Sequence, residues 1–158
     1  TWQSVIGPIR CGEDPRQPWI QKAAAWLESV QKDDGSFGET AMSYEDRTLM
    51  GTGPSTASQT AWAAMTLQEI RGADHPSVMK AIRWLCDTQL DADAAADPER
   101  NPDGDPAGSW CETEFTGTGF PKVFYLKYHG YSVYFPLWAL SRYRNLKKGN
   151  TGTVPFGM

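Results

Sequence analysis

Lys22-Ala23-Ala24-Ala25-Trp26-Leu27-Glu28-Ser29-Val30-Gln31 returns 58 residues later as Lys80-Ala81-Ile82-Arg83-Trp84-Leu85-Cys86-Asp87-Thr88-Gln89. Lys, Ala, Trp, Leu and Gln keep their places in both copies. Each Gln is followed by a Gly-Ser-aromatic step, Gly35-Ser36-Phe37 in the first copy and Gly108-Ser109-Trp110 in the second. A shared order of residues at one offset marks an internal repeat. A repeat of this length is a helix pair that buries its apolar side only by stacking on its neighbours. The predicted class is all-α, its helix pairs stacking into a solenoid or closing into an α/α toroid that two pairs leave incomplete.

Outward from the repeat, helix follows helix. Pro18 suits a first helical position, and Asp33-Asp34-Gly35 breaks that helix after Gln31. Thr56-Ala57-Ser58-Gln59 has capping-box spacing and opens a Ser/Thr/Ala-rich helix that stops at Gly72. Its small side chains suit an inner layer, whereas the charged faces of the two repeated helices suit an outer one. Asp74-His75-Pro76 opens a helix to about Gln89. Thr1-Trp2-Gln3-Ser4-Val5-Ile6 reads as helix without a cap. A last helix is predicted from about Val123 into Tyr143, kinked or split at Pro136 because proline lacks the backbone donor. No stretch alternates with period two.

With 158 residues, 15 basic and 19 acidic side chains, the chain is mildly acidic and carries no basic cluster of the kind that grips nucleic acid. Three cysteines (Cys11, Cys86 and Cys111) without Cys-x-x-Cys spacing indicate neither a disulfide framework nor a zinc site, and two histidines (His75 and His129) complete no triad. The unusual feature is aromatic: ten of the 19 Phe, Trp and Tyr residues lie between Phe115 and Tyr143. Phe120, Phe124, Tyr128, Tyr131, Phe135 and Trp138 fall within ~80° on an ideal helical wheel.

The repeated helices resemble the Gln–Trp repeat of the triterpene cyclases, with Gln31, Phe37, Gln89 and Trp110 at its structural positions and Phe37 in place of a Trp. Phe115-Thr116-Gly117-Thr118-Gly119-Phe120-Pro121-Lys122-Val123-Phe124-Tyr125-Leu126-Lys127-Tyr128-His129, continuing to Leu140, resembles the C-terminal signature of squalene–hopene cyclases. Gly53 to Ala63 and Ser43-Tyr44-Glu45-Asp46 resemble two further stretches of that family. The likeness runs over 1–145, with an acidic insertion at 90–107 and a flexible tail at 146–158. The sibling oxidosqualene cyclases carry an Asn/Cys-containing sequence where this chain has Thr116 to Pro121, which disfavours a sterol-pathway enzyme.

The resemblance implies part of an α/α toroid of six-plus-six type, and an isomerase that cyclises squalene to pentacyclic hopanoids through carbocations, with no metal or organic cofactor. It places Phe120, Phe124, Leu126, Tyr128 and Tyr131 on the wall of the substrate cavity, while Phe135 and Trp138 read as core. Aromatic faces attract a cation by ~0.5–2 kcal/mol each without bonding to it. Leu126 reaches the cavity only where the backbone is irregular, which Gly117, Gly119 and Pro121 favour. The family's acid is the middle Asp of an Asp-x-Asp-Asp motif, absent from this sequence, so no catalytic residue is assigned and the piece alone is expected to be inert. The implied partners are a squalene-like polyprenoid, the remainder of a cyclase chain, the cytoplasmic face of a membrane held peripherally, and a second copy in a homodimer. A cyclase of the same fold with another product, or a non-catalytic lipid-binding module, stays open.

Two further readings complete the sequence. The insertion has six acidic residues and one Arg, and reads as a solvated, dispensable loop. Asn101, Asp103 and Asp105 within it and Glu112 beyond it fall at EF-hand positions, but Pro106 stands where that loop needs Gly, so no metal is assigned. His129 is read as a hydrogen-bonding residue at the cavity edge.

Overall fold

The computed structural model describes residues 1–149. Six helices dominate: α1 (Trp2–Arg10), α2 (Pro18–Val30), α3 (Ala57–Arg71), α4 (Pro76–Asp87), α5 (Ala92–Ala96) and α6 (Tyr131–Lys147). Two short 3-10 turns at Ala41–Tyr44 and Arg47–Leu49 connect α2 to α3. The class is mostly helical, as the repeat demanded, with one small hairpin of β1 (Gly117–Phe120) and β2 (Phe124–Leu126).

α3 is the axis of the molecule and touches α1, α2, α4 and α6. Ten of its residues between Ala57 and Gln68 are buried. Such all-round burial is possible because most of them are Ala, Ser or Thr, which let four helices approach one backbone. Its start uses the predicted cap: the Thr56 hydroxyl accepts from the Gln59 backbone N–H. The Gln59 side chain does not return to the Thr56 amide as in a reciprocal box. It accepts from the Thr56 hydroxyl and the Glu39 N–H and donates to the Glu39 carbonyl. Gly72 ends α3 at φ 85°, a left-handed value that glycine accommodates.

The two repeat copies adopt the same local hydrogen bonding. Gln31 Nε2 donates to the Gly35 carbonyl at 2.9 Å and Gln89 Nε2 to the Gly108 carbonyl at 2.7 Å. Lys32 N–H bonds the Ser36 carbonyl as Leu90 N–H bonds that of Ser109. Gln31 also donates to the Ser77 carbonyl in the first turn of α4, tying one copy to the next at 2.8 Å. Phe37 and Trp110 enter two different core clusters: Phe37 joins Leu27, Leu67 and Val78, and Trp110 joins Met65, Leu85 and Ala139. Trp110 is 1% exposed, and its indole N–H is satisfied by the Leu85 carbonyl at 2.7 Å.

Four sequence-based expectations change. The helix predicted from Val123 begins only at Tyr131, because Gly117, Gly119 and Pro121 favour turn and extended geometry over helix. In the antiparallel pairing Gly117 faces Leu126, Thr118 faces Tyr125 and Phe120 faces Phe124, leaving Gly119 as a bulge. A Cβ on Gly119 would overlap the Phe124 ring, so any larger residue there must displace that ring. α6 then runs unbroken past the buried Pro136 rather than splitting.

The other two concern the insertion and the tail. The insertion is folded, with α5, buried Ala94 and Asn101, and backbone bonds that pinch Leu90 against Gly108 and Ser109. Its polar sequence hid an internal scaffold. Residues 146 and 147 of the predicted tail complete α6, and 150–158 lie outside the described residues.

Candidate functional site

Two arrays of aromatic rings stand where the sequence concentrates them. On the hairpin, Phe120 and Phe124 pair across the bulge edge-to-face, with ring centres 5.7 Å apart. They are 65% and 45% exposed, so within this chain they form a free aromatic face. The second array begins where the chain leaves β2. Tyr128 stacks on Tyr131 at 4.7 Å, and Tyr131 meets Phe135 and Trp62 edge-on at 5.0 and 5.7 Å. Trp62 from α3, Trp2 from α1, and Phe135 and Trp138 from α6 continue it, with Trp2 edge-on to both α6 rings.

The five proposed cavity residues therefore do not share one helical face. Phe120, Phe124 and Leu126 belong to the hairpin, Tyr128 to the connection, and Tyr131 alone to α6. The structure brings together Phe120 with Phe124, and Tyr128 with Tyr131. Leu126 is half-buried on β2, opposite Gly117. The Tyr128 ring instead covers Gly117, where a Cβ would overlap it. Phe135 and Trp138 pack against the Trp110 cluster, as the core assignment anticipated. His129 is exposed, and its backbone carbonyl accepts from the Ser132 hydroxyl.

Trp2 and Trp62 join the second array, and the sequence reading did not single them out. Trp62 is the one large aromatic in α3, and that isolation was a usable signal. Both indole N–H groups are buried without a protein acceptor. They also border a cavity of about 260 Å³ between α2, the 37–44 segment, α3 and the root of the hairpin. Phe37, Tyr44 and Thr116 to Thr118 complete much of its wall. This volume is below the roughly 300–1,000 Å³ typical of sites that enclose a drug-sized ligand. One carboxylate, Glu39, borders it, but Glu39 is committed to the Ser43 hydroxyl and the Gly51 N–H.

The root of the hairpin is held by Glu112. This carboxylate is 5% exposed and accepts from the Ser58 N–H and hydroxyl at 2.9 and 2.8 Å, in the first turn of α3. A negative charge at a helix N-terminus is stabilised by the orphan amides and the macrodipole. The Thr116 hydroxyl also reaches it, joining the approach to β1 to the same carboxylate. Glu112 is thus occupied as a helix cap rather than as a ligand in an EF-hand. Glu112→Gln places an amide donor against a donor pair and is expected to cost about 1–3 kcal/mol, seen as a lowered melting temperature. An unchanged melting curve would show the cap to be dispensable. Beside it, burial raises the Cys111 thiol pKa, and the Asp105 and Asp103 carboxylates raise it further.

This arrangement can hold an apolar chain against π-faces. It offers no paired acid and base. The model of the squalene–hopene cyclase C-terminal domain matches residues 1–145. The chain belongs to that family. It is 44% identical to a squalene–hopene cyclase of Bradyrhizobium diazoefficiens, over all of this chain and 22% of that protein. A squalene–hopene cyclase of Zymomonas mobilis is 48% identical over 88% of this chain and 19% of its own length. A dammaradiene synthase of Dryopteris crassirhizoma is 37% identical over 89% of this chain and 20% of that protein. The chain thus spans about a fifth of the length of these relatives.

Proposed function

We propose that this region is the C-terminal part of a cyclase that converts squalene, or a related polyprenoid, to pentacyclic hopanoids by a proton-initiated carbocation cascade. The carrying observation is family membership over 1–145, joined to an aromatic face on the hairpin that packing among the described residues leaves partly open. In this reading Phe120, Phe124, Leu126, Tyr128 and Tyr131 line the substrate cavity. The helix pairs form one sector of an α/α toroid completed by the rest of the cyclase chain.

The chemistry asks for what these side chains offer. A tertiary carbocation is trapped by any water or basic atom within reach, so its wall must be dry and non-nucleophilic. Phe rings meet both needs, attracting the cation through the quadrupole and forming no bond. The acid that starts the cascade lies outside this sequence, which contains no Asp-x-Asp-Asp. Residues 1–158 alone are accordingly expected to give no turnover. A different product is the second reading, supported by the dammaradiene synthase relative. A peripheral position on the cytoplasmic face of a membrane, where squalene resides, and a homodimer belong to the same proposal.

The direct test incubates the complete cyclase carrying this region with squalene and separates the products by gas chromatography. Pentacyclic hopanoids are expected. A tetracyclic product would select the second reading, and squalene recovered unchanged would leave a lipid-binding module.

A further inference from the structure

The acidic insertion contacts the residue that follows the hairpin. Its internal scaffold is the Asn101 side chain, 3% exposed. Asn101 Nδ2 donates to the carbonyls of Ala95 and Asp105 at 2.9 and 2.8 Å, and its Oδ1 accepts from the Asp105 N–H at 2.9 Å. The turn that this amide closes, Asn101 to Asp105, carries Asp103 at its centre. Asp103 forms an ion pair and hydrogen bond with Lys127. The Lys127 side chain is 17% exposed and that of Asp103 34%, so most of the contact is withdrawn from solvent.

Lys127 lies between Leu126 and Tyr128, two of the proposed cavity residues, and just beyond Phe124. The incoming leg of the hairpin is held by Glu112 on α3. Among the described residues, Lys127 supplies the outgoing leg's ion pair to a separate element. An exposed ion pair between two mobile side chains contributes little, because ordering both offsets the attraction. Here one partner stands on a turn already fixed by Asn101, and the other buries its stem. Less freedom is left to lose.

We infer that the insertion is a positioning strut: Asn101 and the Asp103–Lys127 pair set the placement of the segment from Phe124 to Tyr128, and with it the product specificity of the cyclase. The inference rests on the functional reading above and reverses the expectation of a dispensable loop. Asn101, Asp103 and Lys127 are positioning residues, and none is assigned contact with substrate. A cascade that can lose its proton at several stages is sensitive to such placement. Moving a π-face away from one intermediate cation leaves the competing exits open.

The test uses the complete cyclase with Asp103→Asn, Lys127→Met and the double variant. Amide exchange across residues 117–128 is expected to quicken roughly three- to tenfold in each single variant. The share of incompletely cyclised product should rise about two- to fivefold alongside it. The double variant should match the larger single effect, because both act through one contact. Parental exchange, a parental product ratio, or a double effect equal to the sum of the singles would each overturn the inference. Failure of the functional reading is distinguishable, since the parent enzyme would itself leave squalene uncyclised. Exchange across the hairpin would still decide the strut.

Discussion

Phe120→Ala and Phe124→Ala in the complete cyclase are expected to change what is made more than whether substrate binds. Each removes one π-face from the hairpin pair. Losing a cation–π contact of ~1–2 kcal/mol slows the dependent ring-forming step by roughly five- to thirtyfold. Proton loss or water capture from the preceding cation is not slowed equally, so truncated products gain share. Tyr or Trp at the same positions keeps a π-face and should restore part of the normal product. The observed geometry sharpens the expectation. Phe120 is mostly exposed, Phe124 is about half covered, and neither belongs to the two core clusters, so truncation should leave the helical core intact. A structural role would lower total activity with the product ratio intact. Gas chromatography beside a melting curve separates the outcomes, and parental ratios in both Ala variants would remove these residues from the cavity wall. Gly119→Ala is a subtler probe, because its methyl must push the Phe124 ring aside.

The largest stability loss is expected at Trp110. Trp110→Ala empties a site at the centre of the cluster formed by Ala57, Ala61, Met65, Leu85 and Ala139, and leaves the Leu85 carbonyl without its side-chain donor. Truncation of a buried Trp to Ala costs about 3–5 kcal/mol, and the lost hydrogen bond adds to it. Trp110→Phe keeps most of the volume and forfeits the N–H, so about 1–2 kcal/mol is expected. The melting temperature of the complete cyclase should fall for both, and clearly further for Ala. Equal small shifts would mean that the cluster relaxes to fill the gap. Phe37, the equivalent residue in the first copy, already shows that a ring without an N–H serves this position. The Phe37 backbone N–H donates to the Thr60 hydroxyl, which donates to the Phe37 carbonyl.

Arg142 shows how far packing, rather than residue type, decides a side chain's state. Its run with Tyr143 and Arg144 looks like an ordinary solvated helix end. In the fold Arg142 turns inward to share Glu69 with Arg10. Burial, with Arg10 nearby, lowers its pKa to about 10. Glu69 therefore joins the ends of α1, α3 and α6 through two arginines, a link invisible in the local sequence.

The sequence by itself determined the helical class, the repeat and the family. These depend on local and periodic signals: Pro18 and Pro76 at first helical positions, Thr56 as a cap, Gly72 as a stop, and two copies of Lys-Ala-Trp-Leu-Gln at one offset. Small side chains along 57–68 also suited that helix to an inner layer, and the structure shows it buried on nearly every side. What only tertiary structure decided is the geometry of the aromatic segment and the role of the insertion. Phe120, Phe124 and Tyr128 have helical spacing, yet Gly117, Gly119 and Pro121 weaken the helix enough for cross-strand pairing and the Glu112 anchor to prevail. The bulge at Gly119 then sets side-chain directions that no wheel describes. The insertion is rich in acidic residues, and charge signals solvent exposure until a partner appears. Its Asn101 scaffold and Asp103 contact depend on Lys127, 24 residues downstream of Asp103. Such pairing is fixed by where the chain returns in space, since charge and hydrogen-bond capacity in a sequence name no partner.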